Sequence, residues 1–105
     1  MSSVSRLEQI EKMLASSPDD VFLNFALAME QVKAGQHEQA IARFERVTQL
    51  DPNYVPAYTQ LSNTFIALGR KDEAKAALSR GVEAATRTGD KHAVSKMGDA
   101  LRLLD

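Results

Sequence analysis

The sequence has no cysteine and no tryptophan, and only 6% of its residues are aromatic. Without cysteine the chain cannot form a disulfide, a thiolate metal site or a cysteine nucleophile. Its 13 basic and 14 acidic residues leave a net charge of -1, so electrostatics give no reason to expect nucleic acid or an anionic membrane as a partner. The 105 residues are enough for one domain that buries its own hydrophobic core without a metal or disulfide staple.

Long apolar runs and catalytic motifs are also missing from the sequence. The opening stretch MSSVSRLEQIEKML alternates charged and apolar residues, so it predicts neither a secretory signal nor a membrane span, and we expect a cytoplasmic protein. No metalloprotease helix motif, phosphate-binding glycine loop or nucleophile elbow occurs. His37 and His92 lie far apart, and both are expected to be exposed. The pair Asp19-Asp20 is better explained as a helix cap than as a metal or acid/base site. We therefore expect no enzyme activity, no metal and no cofactor.

What the sequence does contain is an internal repeat. A shift of 34 residues superimposes residues of the kinds that start, stop or pack helices. The superimposed pairs are Pro18 with Pro52, Leu27 with Leu61, Gly35 with Gly69, Glu38 with Asp72, Ala40 with Ala74, and Phe44 with Leu78. A duplicated helical hairpin explains all of these pairs together.

Each copy has the signals of two helices joined by a tight turn. In the first copy, Asp19 or Asp20 caps a helix that Gly35 ends, because glycine adopts the left-handed conformation that favours helix ends. Apolar residues of the next helix recur at steps of three or four up to Pro52, namely Ala40, Ile41, Phe44, Val47 and Leu50. In the second copy no proline follows, so the last helix is expected to run to Thr88 and to end at Gly89.

These residues resemble the tetratricopeptide repeat, a unit of two antiparallel helices with the same period. The matching residues are Leu27-Ala28, Gly35, Ala40, Phe44 and Pro52 in the first copy, and Tyr58, Leu61-Ser62, Phe65, Gly69, Ala74 and Leu78 in the second. Three positions depart from the family pattern. Asn24 and Gln31 replace large aromatic residues, Gly81 replaces an alanine, and we expect each departure to weaken packing locally.

The resemblance implies an all-α fold, a short α-solenoid of antiparallel helix hairpins with about six helices and no strand. We divide the single domain, residues 1–105, into a half-repeat helix at 3–17, repeats at 19–52 and 53–88, and a C-terminal capping helix at 90–104. The half-repeat helix carries the stripe Val4, Leu7, Ile10 and Leu14, and the capping helix carries Val94, Met97, Leu101 and Leu104. Terminal helices of this kind cover the open ends of a repeat array.

A second apolar stripe on the first helix of repeat 1 gives the main functional signal. A helix that is apolar on two flanks needs two neighbours or a ligand. In the tetratricopeptide family this flank lines a concave groove that binds peptides, and the resemblance places eight residues there. They are Phe22, Phe25, Met29 and Val32 of repeat 1, and Tyr54, Thr59, Asn63 and Ile66 of repeat 2. The alternative is that the half-repeat helix or the last helix covers this stripe.

The leading functional hypothesis is a protein-interaction module whose groove holds a peptide or helix of a partner. The acidic-terminus clamp of some family members is not supported, because only Asn63 of the expected polar residues is present. Phe, Met and Ile side chains instead favour a partner with an apolar anchor, and Met29 can adapt its shape to such a ligand. The alternative function is a structural unit that forms a homodimer through the same apolar surface.

Overall fold

Residues 5–105 fold into six α-helices that follow one another along an elongated body of 49 × 28 × 19 Å. The computed structural model describes residues 5–105. Its helices are α1 (Arg6–Ser16), α2 (Val21–Lys33), α3 (His37–Leu50), α4 (Val55–Ala67), α5 (Lys71–Thr88) and α6 (Lys91–Leu104). No strand occurs between residues 5 and 105, and the predicted all-α solenoid is confirmed. Val4 and the predicted start of the half-repeat helix at residue 3 lie outside the described residues.

Local signals in the sequence set the helix ends. The carboxylate Oδ1 of Asp20 accepts a hydrogen bond from the Leu23 backbone N–H at 2.8 Å, and this contact caps α2. Asp90 caps α6 in the same way, at 3.0 Å from the Ala93 nitrogen. Gly35, Gly69 and Gly89 follow α2, α4 and α5 with φ values of 76°, 72° and 73°, a left-handed conformation that other residues adopt at a cost. The long helix α5 therefore ends where the sequence predicted.

Polar contacts hold consecutive helices in antiparallel hairpins. The Nη2 atom of Arg46, near the end of α3, lies 2.6 Å from Oδ1 of Asp19, which precedes α2. One repeat later, Nε of Arg87 donates to Oδ1 of Asn53 at 3.0 Å, so the end of α5 lies beside the start of α4. The second helices of the two hairpins also contact each other, because Nη1 of Arg80 on α5 lies 2.9 Å from Oε1 of Glu45 on α3.

The two apolar flanks of α2 meet two different neighbours. Leu23, Ala26 and Leu27 pack against the buried residues Ile10 and Leu14 of α1. The other flank packs against a central cluster of buried residues from α2, α3, α4 and α5, and its partly buried members are Phe25, Met29 and Val32. Helix α1 therefore covers the first flank.

The three departures from the family pattern are accommodated in different ways. Asn24 is fully buried, and its side chain donates to the carbonyl oxygens of Pro18 and Asp20 and accepts a hydrogen bond from Arg43 at 2.8 Å. Gly81 is buried because Met97 fills the space beside it. The expectation that these two residues weaken packing was wrong. Gln31 fits that expectation, since its buried Oε1 atom has no hydrogen-bond partner among the described residues.

Candidate functional site

Alternate helices of the solenoid form a common face with a cleft between α4 and α6. The cleft has a volume of about 300 Å³, and Leu78 of α5 forms part of its lining. Its α4 wall consists of Thr59, Ser62, Asn63 and Ile66, and its α6 wall consists of His92, Ala93, Lys96, Met97 and Ala100. Three of the eight predicted groove residues, Thr59, Asn63 and Ile66, are therefore brought together here. The cleft combines apolar side chains with hydrogen-bond donors on both walls.

The α6 wall was missed in the sequence because this helix was interpreted only as a cap. The sequence does hold a signal for it. Val94, Met97, Gly98 and Leu101 repeat the spacing of Tyr58, Leu61, Ser62 and Phe65 in α4, so α6 is built like the first helix of a further hairpin. The extra length of α5 displaces this pattern by two residues from the 34-residue period, which hides it from a search at fixed period.

Four aromatic rings connect α2 to the start of α4, and we call them the aromatic array: Phe22, Phe25, Phe44 and Tyr54. The ring centroids of Phe22 and Tyr54 lie 6.0 Å apart in an edge-on arrangement, and those of Phe25 and Tyr54 lie 5.2 Å apart. Phe25 also lies 5.7 Å from Phe44, a fully buried ring of α3. Tyr54 thus lies between the exposed and the buried parts of the array, and edge-on pairs of this kind are favourable.

The predicted stripe on α2 differs in exposure along its length. Phe22 is 71% exposed, whereas Phe25, Met29 and Val32 are half-buried against the central cluster. Phe25 therefore contributes to packing as well as to the surface. None of the four α2 residues, nor Tyr54, lines the cleft between α4 and α6. The eight predicted residues accordingly lie in two places, the aromatic array with its α2 neighbours and the cleft.

Each of these alternate helices carries a large exposed apolar side chain. Phe22 on α2, Ile66 on α4 and Leu103 on α6 are 71%, 46% and 87% exposed. Leu103 follows His92 by three helical turns, which places both on one face of α6. We call the surface made by Phe22, Phe25 and Tyr54 of the aromatic array, by the cleft and by these exposed side chains the groove face.

The groove face also carries ionisable side chains. His92 and Lys96 stand on the α6 wall, where they are exposed, while His37 is half-buried in the α2–α3 turn region. The clear pKa shifts belong to ion pairs elsewhere. A hydrogen bond from Arg70 lowers the pKa of the Glu73 carboxyl, and one from Lys75 lowers the pKa of the Asp105 carboxyl. Within residues 5–105 no cluster of three or more His, Asp or Glu side chains could hold a metal ion, and no helix there is long and apolar enough to cross a membrane.

The architecture and the family comparison agree. Residues 31–94 match the model of the tetratricopeptide repeat family, which is more than half of the chain. The chain belongs to the tetratricopeptide repeat family, and its fold is that of a protein–protein interaction module.

Individual relatives resemble this chain in sequence or in structure over nearly its whole length. A TPR repeat-containing protein of Pseudomonas aeruginosa is 34% identical over 99 residues, which cover 94% of both chains. The solution structure of a Bordetella parapertussis protein is 28% identical, with a TM-score of 0.82 over 97% of this chain and 89% of that one. The type III secretion chaperone SycD of Yersinia enterocolitica, solved in complex with a peptide of the translocator YopD, has a TM-score of 0.82 at 15% identity. That alignment covers 93% of this chain and 76% of SycD, and it shows a shared fold.

Proposed function

We propose that this protein binds a peptide or an amphipathic helix of a partner protein on its groove face, and that the partner supplies an apolar anchor. The observation that carries the proposal is the exposure of Phe22. This ring is 71% exposed, and it packs edge-on against Tyr54 with the two ring centroids 6.0 Å apart. A contact of this kind favours one orientation of the exposed ring. A pre-oriented aromatic side chain loses little conformational entropy on binding, and such residues often carry most of an interface's affinity.

The cleft supplies the second part of the proposed recognition. Its apolar lining, which includes Ile66 and Leu78, suits an aliphatic or aromatic side chain of the ligand. The amide of Asn63 and the hydroxyl of Thr59 stand at the same wall, where they can hydrogen-bond an exposed peptide backbone. Lys96 on the opposite wall favours carbonyl or carboxylate oxygens. An amphipathic ligand with an apolar face and polar flanks matches this combination.

The comparison with SycD supports peptide binding as a use of this architecture. That chaperone was solved with a peptide of YopD, and it has the fold of the present chain. The transfer of this use to the present chain rests on the groove face itself, since the likeness to SycD is one of fold. The proposed division into a half-repeat, two repeats and a capping helix, the cytoplasmic location and the lack of enzyme activity stay predictions.

A peptide-display selection tests the proposal. The library would be selected on the wild-type protein, and enriched peptides would then be measured against Phe22→Ser and Ile66→Ser by fluorescence anisotropy. Met13→Ser is the matched control, because Met13 is also an exposed apolar residue at 49% but lies on α1. We expect Phe22→Ser or Ile66→Ser to weaken binding about tenfold or more, as for a moderate hot spot.

Both binding outcomes are informative. Binding that Met13→Ser leaves intact and the two groove variants reduce would support the proposal. Enriched peptides that bind all four proteins equally well would place recognition on another surface. If the wild-type protein instead doubles its mass with concentration and Phe22→Ser prevents this, the groove face serves self-association, which is the alternative predicted from the sequence.

A further inference from the structure

Helix α6 carries a small residue at a position whose equivalents in α2 and α4 are buried. The pairs Leu27-Ala28 in α2 and Leu61-Ser62 in α4 are all buried at 2% exposure or less. In α6 the equivalent pair is Met97-Gly98. Met97 is buried, but Gly98 is partly exposed, and a Cβ atom on it would meet only Nη1 of Arg102, at 3.9 Å. Nothing else within the described residues comes close to the open side of this glycine.

A stripe runs along α6 through Gly98. The residues Lys91, Val94, Gly98, Leu101 and Asp105 recur at alternating steps of three and four, the spacing with which one helix meets another along its length. Val94 and Leu101 are only half-buried. The cleft residues His92 and Lys96 each stand two positions before a stripe residue, about 200° around the helix at 3.6 residues per turn. We call these five residues the α6 stripe, and it points away from the groove face.

The space beside the α6 stripe is apolar. A notch of about 380 Å³ lies between the end of α5 and the first turns of α6. Its lining includes Ala85 and Thr86 of α5 and Lys91 and Val94 of the stripe. In the first two hairpins, the helix that follows covers the equivalent surface. Helix α3 covers it on α2, for example, and Ala40 of α3 lies in the same buried cluster as Ala28 of α2. The α6 stripe and the notch are therefore shaped to receive a helix.

We propose that the α6 stripe binds the α6 stripe of a second copy of this chain, with the two helices antiparallel about a two-fold axis near Gly98. This arrangement places Val94 of each copy near Leu101 of the other, and it brings the two glycines together so that the helix backbones can approach closely. The charges at the ends of the stripe favour the same arrangement. Lys91 at one end then lies near Asp105 of the second copy, whereas a parallel arrangement would bring like charges together. Oδ1 of Asp105 lies 2.6 Å from Nζ of Lys75 in its own chain, but the Asp105 side chain is 68% exposed, so Lys91 of the second copy can still reach its carboxylate.

Helix α1 of a second copy is the other candidate for this surface, and its side chains fit poorly. A shift of 34 residues aligns Arg6 of α1 with Ala40 and Ala74, which are fully buried where two helices cross. An arginine at such a crossing would hold the helices apart. Helix α6 of a second copy fits better, because it offers a small residue at the crossing, apolar residues on both sides of it and opposite charges at its two ends.

The size of the interface determines how the dimer is expected to behave. A stable protein interface buries roughly 800 Å² on each partner. A single helix of 14 residues presents less than this along one stripe, so we expect a weak dimer that forms in the range of roughly 10 µM to 1 mM. Because the stripe faces away from the cleft, the dimer would leave both groove faces free.

Sedimentation equilibrium of the full chain between 10 µM and 1 mM tests the proposal. The wild-type mass should rise toward twice the 11.5 kDa of one chain. Gly98→Gln should stay at the mass of one chain, because the longer side chain keeps the two helices apart. A Cβ atom at this position meets only the flexible end of Arg102, and glutamine is a better helix former than glycine, so the variant should also fold with an equal or higher Tm. Phe22→Ser is the matched control, and it should dimerise like the wild type.

Charge reversal tests the antiparallel arrangement separately. Lys91→Asp should weaken the dimer several-fold, and the double variant Lys91→Asp with Asp105→Lys should restore it. A wild-type chain that keeps the mass of one chain at 1 mM would overturn the proposal. So would a Gly98→Gln variant that dimerises as the wild type does. Loss of the dimer in Phe22→Ser, with Gly98→Gln unaffected, would assign self-association to the groove face instead.

Discussion

Gly81 and Gly98 both lie in the interior of a helix, but their surroundings differ. A Cβ atom on Gly81 would lie 2.5 Å from Sδ of Met97 and 2.8 Å from Cβ of Tyr58, so α4, α5 and α6 meet at this point only because the side chain is absent. Among residues 5–105, Gly98 has no such neighbour on its open side. The sequence shows both residues as helix-weakening glycines, and it cannot distinguish them because Met97 lies 16 residues from Gly81 along the chain.

The two glycines should respond in opposite directions to alanine. Gly81→Ala gains helix propensity of about 1 kcal/mol, but it inserts a methyl group against the rigid Cβ of Tyr58, so we expect a net loss of roughly 1 to 2 kcal/mol. Gly98→Ala should instead stabilise the single chain by up to about 1 kcal/mol. Urea unfolding at low protein concentration measures both. A Gly81→Ala variant as stable as Gly98→Ala would show that the close packing around Gly81 is wrong.

Polar residues in the interior mark another limit of sequence-based prediction. Asn24 is buried without cost to its hydrogen bonds because Arg43, on the next helix, reaches its side-chain oxygen. Gln31 stands seven residues later on the same helix, and its buried oxygen finds no such partner among the described residues. Both residues look alike in the sequence as replacements of aromatic positions. The difference depends on which side chains α3 and the preceding turn bring within reach.

At the scale of helices, most of the architecture could be predicted. Gly35, Gly69 and Gly89 end helices, Asp20 and Asp90 begin them, and all five signals act within one turn of the chain. The role of α6 was less accessible. Its apolar residues were recognised, but its contribution of His92 and Lys96 to the cleft depends on how closely it lies beside α4, and that distance is set by packing on α5.

Deletion of residues 90–105 tests the predicted capping role of α6. The helix buries Met97 against Leu78 and Ala85 of α5, and its removal exposes that surface. Emptying a core methionine site alone costs about 2 to 5 kcal/mol, so the truncated chain should lose at least ~2 kcal/mol and unfold roughly 8 °C or more below the wild type. Thermal unfolding followed by circular dichroism gives the answer. Leu103→Ser is the control, since Leu103 is 87% exposed and its change should leave Tm within about 2 °C. Equal Tm values for the truncated and full chains would show that α6 does not stabilise the fold, which would contradict its predicted role as a cap.

At the scale of the whole molecule, helix α6 contributes to two surfaces. One side of α6 forms part of the groove face, and another side carries the α6 stripe. The family resemblance predicted a single apolar groove of eight residues, whereas the structure separates an aromatic array near α2 from a mixed cleft between α4 and α6. Helical periodicity identifies which side chains share a face of one helix. It does not give the spacing between helices that are not adjacent in sequence, and that spacing decides which side chains form a cleft.

The central claim is that partners bind on the groove face, and NMR mapping with a peptide enriched in the display selection tests it most directly. Titration of this peptide into the ¹⁵N-labelled protein should shift the backbone signals of Phe22, Asn63, Ile66 and Lys96, and it should saturate with one affinity. Signals from exposed residues of α3 and α5, such as Ala42 and Ser79, should stay in place because these residues lie outside the groove face. Shifts confined to α3 and α5, or to the α6 stripe, with Phe22 and Asn63 unaffected, would contradict the account.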